Sequence, residues 1–308
     1  MSKPKIALCL SGEMREWEVC HERLFDYLQN YDCDVFINTW DELGGSRKKY
    51  AKQKVDVDKI EKAYNPIALN VEEKSRWNAL ERNLDYADKS DPGAIPQYCG
   101  WYKTSLLLQR HIKETGAQYE FVVRTRPDFY ILQPPAPLSL DEEFLKQLNN
   151  TIMCSPGTTI ISPSIFVKDY WRRDNHRNLK PFFDNELGSL LKRIDSFDFP
   201  KDFYTNFMLE PFKSEISKID VESLLSPSSI STNPKIYGIS DTFSITTTEK
   251  YLLYSAMMFY MFVIHKSGCY DLSWVNDTIN PLTFCCALYN LKTHVINNLH
   301  NTIPSNNT

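Results

Sequence analysis

The sequence YEFVVRTRPDFYIL, Tyr119–Leu132, holds an apolar run that is followed at once by charged residues. The run Phe121–Val123 has no polar face, which predicts a short strand buried on both sides in a mostly parallel sheet. It stops at Arg124, and Pro127 blocks a regular continuation of the strand ladder. Because ligands in open α/β sheets bind beyond the carboxyl ends of the strands, we expect the charged residues that follow to lie at a ligand site.

Those charged residues are two arginines and one carboxylate, Arg124, Arg126 and Asp128. Guanidinium groups bind phosphate oxygens in a bidentate manner, and a carboxylate oxygen is a hard ligand for a divalent cation. The cluster therefore has the groups that a site for a diphosphate and a divalent cation needs. The alternative is a closed Arg–Asp ion pair that ends the strand.

Length, composition and charge describe a globular chain. Its 308 residues suffice for one large α/β domain or two small ones, and 42% of them are hydrophobic. A net charge of −4 gives no reason to expect nucleic-acid binding. The longest apolar run, Tyr251–Ile264, is shorter than the roughly 20 residues of a membrane helix, and no signal peptide opens the sequence, so we expect a cytoplasmic protein without a transmembrane segment. Eight cysteines without a Cys-x-x-Cys pair predict free buried thiols and no zinc site.

The first residues predict a strand, a turn and a helix, which is a typical arrangement for binding phosphate. Lys5–Leu10 is strand-like, Gly12 permits a tight turn, and Ser11 is placed to cap the helix Trp17–Gln29, with Val19 on its apolar side. The turn lacks the Gly-x-Gly-x-x-Gly fingerprint and the Gly-Lys-Ser/Thr of a P-loop. Neither a dinucleotide enzyme nor a P-loop kinase is supported.

Strands and helices then alternate. Asp34–Trp40 is the second strand, with Asp41 at its carboxyl end on the presumed ligand edge, and Pro66–Val71 is the third. The helix Tyr98–Thr115 carries Lys103 near its start, where it either faces the ligand or is an ordinary exposed lysine. This alternation predicts right-handed crossovers and a doubly wound α/β sheet.

Two Asp-x-Asp sequences are tempting metal motifs, but their positions argue against them. Asp32 and Asp34 enter the second strand at its amino end, and Asp56 precedes a helix as a cap would. The basic run Arg47–Lys54 is typical of a solvated loop, with phosphate contact as the alternative.

The second half of the chain is less regular. Thr151–Cys154 and Thr159–Ser162 are predicted short strands, Tyr237–Thr246 is a further strand, and Asn280–Leu291 is a helix. Asp241 follows Gly238 at a place where a carboxylate can project into a cleft.

Four blocks, Ile6–Arg15, Asp34–Trp40, Val123–Asp128 and Gly238–Phe243, resemble a group of bacterial and large-DNA-virus glycosyltransferases of the GT-A type. The resemblance implies a GT-A-like, Rossmann-like, mostly parallel sheet flanked by helices, with an insertion on the acceptor side. We expect one domain with two halves and a tail: a nucleotide-sugar-binding half at 1–133, an acceptor-binding half at 134–296 with an insertion at about 165–235, and a flexible tail at 297–308. The resemblance covers all of this except the insertion and the tail.

The resemblance also implies site residues. It places nucleotide contacts on Ser11, Gly12 and Arg15, and a metal or donor contact on Asp128, where such enzymes usually have Asp-x-Asp. A divalent cation, Mn²⁺ or Mg²⁺, is therefore expected, although the first aspartate of that motif is Arg126 here. The complete set of predicted donor-binding residues is Ser11, Gly12, Arg15, Asp41, Lys103, Arg124, Arg126 and Asp128.

The implied reaction moves a sugar from a nucleotide-sugar donor to a hydroxyl of an oligosaccharide or glycoprotein glycan. A UDP-sugar is the expected donor, with a pentose such as xylose as one candidate. Negative charge builds on the diphosphate as its bond to the sugar breaks, and a cation held by Asp128, or Arg124 and Arg126 in its place, stabilises it. An inverting enzyme needs a general base, for which Asp241 is the candidate; a capping role is its alternative.

Two other function classes compete with this hypothesis. One is a nucleotide-sugar or glycan-binding protein without catalysis, which the missing first aspartate favours. The other is a phosphoryl or nucleotidyl transferase, which would need a second acidic cluster that the sequence lacks.

Overall fold

Nine strands and five helices make up the part of the chain that the structure, a computed structural model, describes. That part comprises residues 3–43, 53–74, 94–131, 137–139, 141–148, 151–155, 160–161, 236–237, 242–255 and 292–296. In chain order the elements are β1 (Lys5–Ser11), α1 (Trp17–Tyr27), β2 (Asp32–Trp40), α2 (Val57–Tyr64), β3 (Ala68–Glu72), α3 (Ala94–Thr115), β4 (Val122–Thr125), α4 (Glu142–Leu148), β5 (Thr151–Cys154), β6 (Ile160–Ile161), β7 (Ile236–Tyr237), β8 (Phe243–Thr246), α5 (Thr248–Ser255) and β9 (Lys292–Val295).

Seven of these strands form one sheet in the order β3-β2-β1-β4-β8-β5-β9, and β6 pairs with β7 separately. β1 is parallel to β2 and β4, β2 to β3, and β5 to β9. β8 runs antiparallel to both of its neighbours, β4 and β5. The predicted mixed α/β fold with a mostly parallel sheet is therefore confirmed, with a single reversed strand in this sheet.

Helices cover both faces of the sheet because the side chains of each strand alternate between the faces. On one face Leu8 and Val123 belong to a buried cluster that includes Leu24 of α1 and Ile60 of α2. On the other face α3 packs against β1 and β2, and α5 packs against α3. The central strands β1 and β4 are thus buried on both sides, as expected from the apolar run of β1 and from Val122 and Val123 of β4.

Helix α1 begins at Trp17, as predicted, but it ends at Tyr27 instead of Gln29, and its cap and its buried face differ from the prediction. Its N-cap is Glu16, in a left-handed conformation with a φ of 50° and no side-chain capping bond, so Ser11 does not cap it. Ser11 is instead the last residue of β1. The buried face of the helix carries Trp17, Cys20, Leu24 and Tyr27. Val19 lies off this face and is 55% exposed, so its predicted place on the apolar side is wrong.

Several local predictions are confirmed. Asp56 caps α2 by accepting a hydrogen bond from the backbone amide of Lys59 at 3.1 Å, as its position before the helix indicated. Asp34 lies near the amino end of β2 and forms an ion pair with Lys5 at 2.9 Å, far from the carboxyl edge. Asp34 and Asp56 therefore have the positions that the sequence indicated for them.

Among the residues that the structure describes, four cysteines are free, as predicted: Cys9, Cys20 and Cys154 are buried, whereas Cys33 is only partly buried. Burial raises the pKa of both Cys9 and Cys20 to about 12. No helix in the described ranges is long and apolar enough to cross a membrane. The predicted insertion at about 165–235, the helix Asn280–Leu291 and the tail at 297–308 lie outside the described residues.

The topology itself marks one edge of the sheet. The chain passes from β1 outward to β2 and β3, and then crosses back to β4 on the other side of β1. The carboxyl ends of β1 and β4 therefore flank a switch point, where open α/β sheets bind their ligands. The loop Gly12–Glu16 follows β1 there, and the turn Arg126–Phe129 follows β4.

Candidate functional site

Asp128 is the centre of a charge cluster at this switch point. Its side chain is 2% exposed, and both of its oxygens accept hydrogen bonds from arginine. Arg126 is bidentate, with Nε 2.8 Å from Oδ1 and Nη2 2.8 Å from Oδ2. Arg15, from the loop after β1, donates from Nη2 to Oδ2 at 2.8 Å. The closed Arg–Asp pair that the sequence left open is therefore present, but with a second arginine from another loop.

The turn that carries Arg126 and Asp128 is fixed by the sheet. The amide of Arg126 donates to the carbonyl of Thr242 at 3.0 Å, and the amide of Phe129 donates to the carbonyl of Arg126 at 3.1 Å. Phe129 is buried and stacks on Phe243 of β8, with ring centroids 5.2 Å apart. The positions of the two charged residues are thus set by two paired strands and by core packing.

The loop after β1 approaches this turn closely. Gly12 has a φ of +129°, and a Cβ at that position would lie 3.7 Å from Pro127 Cδ. Its amide donates to the carbonyl of Asn38 at 3.3 Å, and Thr39 Oγ1 donates to its carbonyl at 2.8 Å. The predicted tight turn at Gly12 is confirmed, and it directs the chain toward Arg15.

Charged side chains continue from Arg15 along the carboxyl edge. Arg15 Nε lies 3.1 Å from Glu13 Oε2, and Glu13 Oε1 accepts from Lys74 Nζ at 2.8 Å. The amide of Lys74 donates to Asp41 Oδ1 at 3.0 Å, and Lys54 Nζ donates to Asp41 Oδ2 at 2.5 Å. Residues that follow β1, β2, β3 and β4 are therefore joined in one network, which we call the edge network: Glu13, Arg15, Asp41, Lys54, Lys74, Arg126 and Asp128.

Asp41 holds chain segments together within the edge network. Its partial burial opposes ionisation, but the hydrogen bonds from Lys54 and from the amide of Lys74 outweigh that effect and lower the pKa of the carboxyl below its ordinary value. Both oxygens accept from residues of neighbouring segments. Asp41 lies at the predicted edge. Its connection to Arg15 in the edge network runs through Lys74 and Glu13.

Lys103 belongs to a second polar group on the β3 side of the edge. It is 7% exposed, in contrast to the exposed lysine that the sequence left as an alternative, and it forms an ion pair with Glu72. Asn70 donates to Glu72 Oε1 at 3.1 Å and to Asn38 Oδ1 at 2.7 Å. This group extends the polar edge away from Asp128.

Ser11 is the last residue of β1 and directly precedes the loop Gly12–Glu16. Helix α3 comes close to the end of β1 at this point. A Cβ at Gly100 of α3 would lie 3.4 Å from Ser11 Cβ. Ser11 Oγ and Asn38 Nδ2 are buried and have no hydrogen-bond partner among the described residues. Buried polar atoms of this kind are rare in folded proteins, so this corner contains hydrogen-bonding capacity that the described side chains do not use.

Arg124 occupies a different environment from Arg126. β4 continues through Arg124 to Thr125, so the strand does not stop at Arg124 as the sequence indicated. Arg124 is fully buried on the α3 face, with its guanidinium carbon 4.1 Å from the centroid of the Trp101 ring and Nε 3.3 Å from Ser244 Oγ. The contact of its guanidinium group with the Trp101 ring is a cation–π interaction.

A divalent cation does not fit Asp128 as the described side chains stand. Such a cation needs several oxygen ligands, whereas both oxygens of Asp128 accept from guanidinium groups. The described ranges also contain no group of three His, Cys, Asp or Glu side chains arranged to hold a metal. Asp241, the predicted catalytic base, lies outside the described residues; its neighbour in sequence, Thr242, contacts Arg126.

Three members of the edge network lie outside the predicted donor-binding set. Lys54 belongs to the basic run that was predicted as a solvated loop and pairs with Asp41, whereas Glu13 and Lys74 were not predicted from the sequence. Glu13 lies between Gly12 and Arg15, and Lys74 follows the carboxyl end of β3 by two residues. The rule that identified Asp41, a charged residue just beyond the end of a parallel strand, applies to both.

Comparisons with known proteins give one distant structural neighbour. No family model matches the sequence, and no curated protein matches it either. The crystal structure of mouse xyloside xylosyltransferase 1, in its apo form, superimposes with a TM-score of 0.31 at 9% sequence identity, over 96% of this chain and 85% of that one. A likeness this distant does not indicate an activity for this chain.

Proposed function

We propose that this protein is a glycosyltransferase that moves a sugar from a nucleotide-sugar donor, a UDP-sugar in the first place, to a hydroxyl group of a glycan. The observation that carries the proposal is the cluster of Arg15, Arg126 and Asp128 at the switch point between β1 and β4. A sheet with one reversed strand next to its parallel block is in keeping with the GT-A type that the sequence blocks resemble.

The site has the chemistry that a diphosphate requires. Arg126 keeps 24% of its side chain exposed, so a ligand can reach it from solvent. Guanidinium groups bind phosphate oxygens through paired N–H donors and stay charged at every physiological pH. The glycine turn at Gly12 lets the backbone approach the same ligand, because no side chain stands in the way.

In the proposed reaction an acceptor hydroxyl attacks the anomeric carbon while the bond from that carbon to the diphosphate breaks. The electron pair of the broken bond stays on the diphosphate, and Arg15 and Arg126 stabilise the charge that develops there. Asp241 takes the proton of the hydroxyl in our proposal. Its neighbour in sequence, Thr242, accepts a hydrogen bond from the amide of Arg126.

The first test is nucleotide binding. A ligand that binds only the folded state raises the melting temperature by mass action. We expect one nucleotide class from a panel of UDP, GDP, CMP and TDP, with their sugars, to raise the melting temperature of the wild type and not that of Arg126→Gln. Arg110→Gln is the matched control, because Arg110 is exposed and pairs only locally, with Glu114 at 2.8 Å.

The second test separates catalysis from binding. We expect Asp241→Asn to lower kcat for sugar transfer by about 10²-fold or more, which is the usual loss when a general base is removed. Calorimetry should show nearly unchanged donor affinity. An equal loss of transfer and of donor binding would exclude Asp241 as the base.

A non-catalytic nucleotide-sugar or glycan-binding protein is the second candidate function. The closed ion pairs around Asp128 favour it, because both oxygens of the carboxylate already accept hydrogen bonds from Arg126 and are not directed at a substrate or a metal ion. If no nucleotide changes the melting temperature and a glycan array gives binding, this candidate replaces the transferase.

A further inference from the structure

We propose that Asp128 is a positioning residue for two phosphate-binding arginines, and that the diphosphate of the donor binds without a divalent cation. This inference rests on the proposed function, because it concerns how the same site holds the nucleotide. It assigns Asp128 a task different from the metal contact that the sequence resemblance implied.

The order of burial in the cluster is the first argument. The side chain of Asp128 is 2% exposed, that of Arg15 is 11% exposed and that of Arg126 is 24% exposed. The carboxylate therefore lies beneath the two guanidinium groups as seen from solvent. A ligand that enters from solvent meets the guanidinium groups first, which suits an anion and not a metal ion.

The hydrogen-bond geometry is the second argument. Three N–H groups from two loops converge on one carboxylate, at 2.8 Å in each case. Arginine side chains lose rotamer freedom when a ligand immobilises them. A buried carboxylate that already holds both side chains removes part of that loss and thereby raises the affinity for an anion.

The charge balance is the third argument. Around the centre of the edge network, the cations Arg15, Lys74 and Arg126 are paired with two carboxylates, Glu13 and Asp128. Two guanidinium groups thus stand at one buried carboxylate, that of Asp128. A divalent cation at Asp128 would have to stand next to two guanidinium groups and would be repelled by both. The arginines instead provide the charge that a metal would otherwise supply to a diphosphate.

The first experiment measures binding by calorimetry with two probes, UDP and inorganic pyrophosphate. Each is titrated into the wild-type protein once with EDTA and once with Mn²⁺. We expect UDP to bind in both conditions with affinities that agree within about threefold, or less than 1 kcal/mol. Binding of UDP only in the presence of Mn²⁺ would overturn this inference and leave the proposed function intact. If neither probe binds in either condition, the proposed function fails together with the inference.

The second experiment tests positioning through conservative variants. Arg15→Lys keeps the charge but loses the fork that reaches Asp128, and Asp128→Asn keeps the shape but loses the charge that attracts both arginines. We expect each to weaken pyrophosphate binding in EDTA by about tenfold, the usual loss for one charge-assisted hydrogen bond. Arg110→Lys is the control and should bind as the wild type does.

Stability and metal dependence distinguish positioning from the other roles of Asp128. A melting temperature recorded for each variant identifies those that fail to fold, and Arg15→Lys remains informative if Asp128→Asn does not fold. A metal ligand at position 128 predicts a different pattern. In that case the wild type and Arg15→Lys would both bind pyrophosphate only in the presence of Mn²⁺. Asp128→Asn would no longer show the increase in pyrophosphate affinity that Mn²⁺ gives the wild type. That pattern would overturn the inference.

Discussion

Gly12 shows how one residue shapes the candidate site. Its φ of +129° is a conformation that residues with a Cβ rarely adopt, whereas an added Cβ would meet Pro127 only at an ordinary contact distance of 3.7 Å. The expected cost of Gly12→Ala is therefore backbone strain, about 1–3 kcal/mol in the free energy of unfolding. We also expect weaker UDP binding, because Arg15 follows in the same loop. Denaturant unfolding and calorimetry measure the two effects separately.

Gly116 provides the matched control for this prediction. It also has a positive φ, +71°, but it lies just beyond α3, and no heavy atom lies within 4 Å of an added Cβ. Gly116→Ala should lower stability by about 1 kcal/mol and leave UDP affinity unchanged. Wild-type UDP affinity in Gly12→Ala would mean that the loop after β1 is not part of the nucleotide site.

Sequence reasoning at the residue scale succeeds where the signal is local. The apolar residues of β1 and β4 identify these strands in the sequence. Gly12 and Arg15 follow β1, Asp128 follows β4, and the structure brings all three residues to one edge of the sheet. Arg124 and Arg126 look equivalent in sequence, but one is inside β4 and the other is beyond it. Only the pairing of β4 with β8 determines where the strand ends, and that pairing joins segments far apart in sequence.

At the scale of elements, Asp41 ties the end of β2 to the chain that follows β3. Its hydrogen bonds with Lys54 and with the amide of Lys74 lower the folded-state pKa below the ordinary 3.8, although burial opposes this shift. A carboxyl with a lowered pKa stabilises the fold above its unfolded-state pKa, and this contribution is lost as the pH falls through the folded-state pKa. We expect Asp41→Asn to lower the free energy of unfolding by up to about 1 kcal/mol at neutral pH, as for a partly exposed ion pair.

The difference in stability between wild type and Asp41→Asn should shrink as the pH falls below the ordinary value of 3.8 and through the lowered pKa of the folded-state carboxyl. Urea unfolding of both proteins between pH 7 and pH 3 measures this difference. A difference that stays constant over the whole range would show that the ion pair with Lys54 does not link β2 to the neighbouring segment.

The elements differ in how far the sequence can specify them. The unit β1–α1–β2 is predictable because its apolar runs, its glycine turn and its helix lie within a short stretch of chain. The segment Tyr237–Thr246 was predicted as one strand, yet β7 pairs with β6 and β8 joins the main sheet. β9 was not predicted, because its strand character depends on pairing with β5, which is distant in sequence.

At the scale of the whole molecule, the two predicted halves share one sheet. β4 comes from the half at 1–133, and its neighbour β8 comes from the half at 134–296. Phe243 of β8 is fully buried and also contacts Tyr27 of α1, with ring centroids 6.2 Å apart. The core of the first half is therefore completed by a residue from the second half.

A fragment of residues 1–133 should consequently fail to fold by itself. Without β8, the strand Val122–Thr125 would expose one edge of its backbone, and Tyr27 and Phe129 would lose Phe243 as a partner. We expect the fragment to lack near-UV circular dichroism, to bind a hydrophobic dye and to show no cooperative unfolding in urea, whereas the full chain unfolds cooperatively. A cooperative transition in the fragment would mean that the parallel strands β1–β4 form an independent domain. The turn Arg126–Phe129 would then have to be held without Thr242, and the geometry around Asp128 would not depend on the second half.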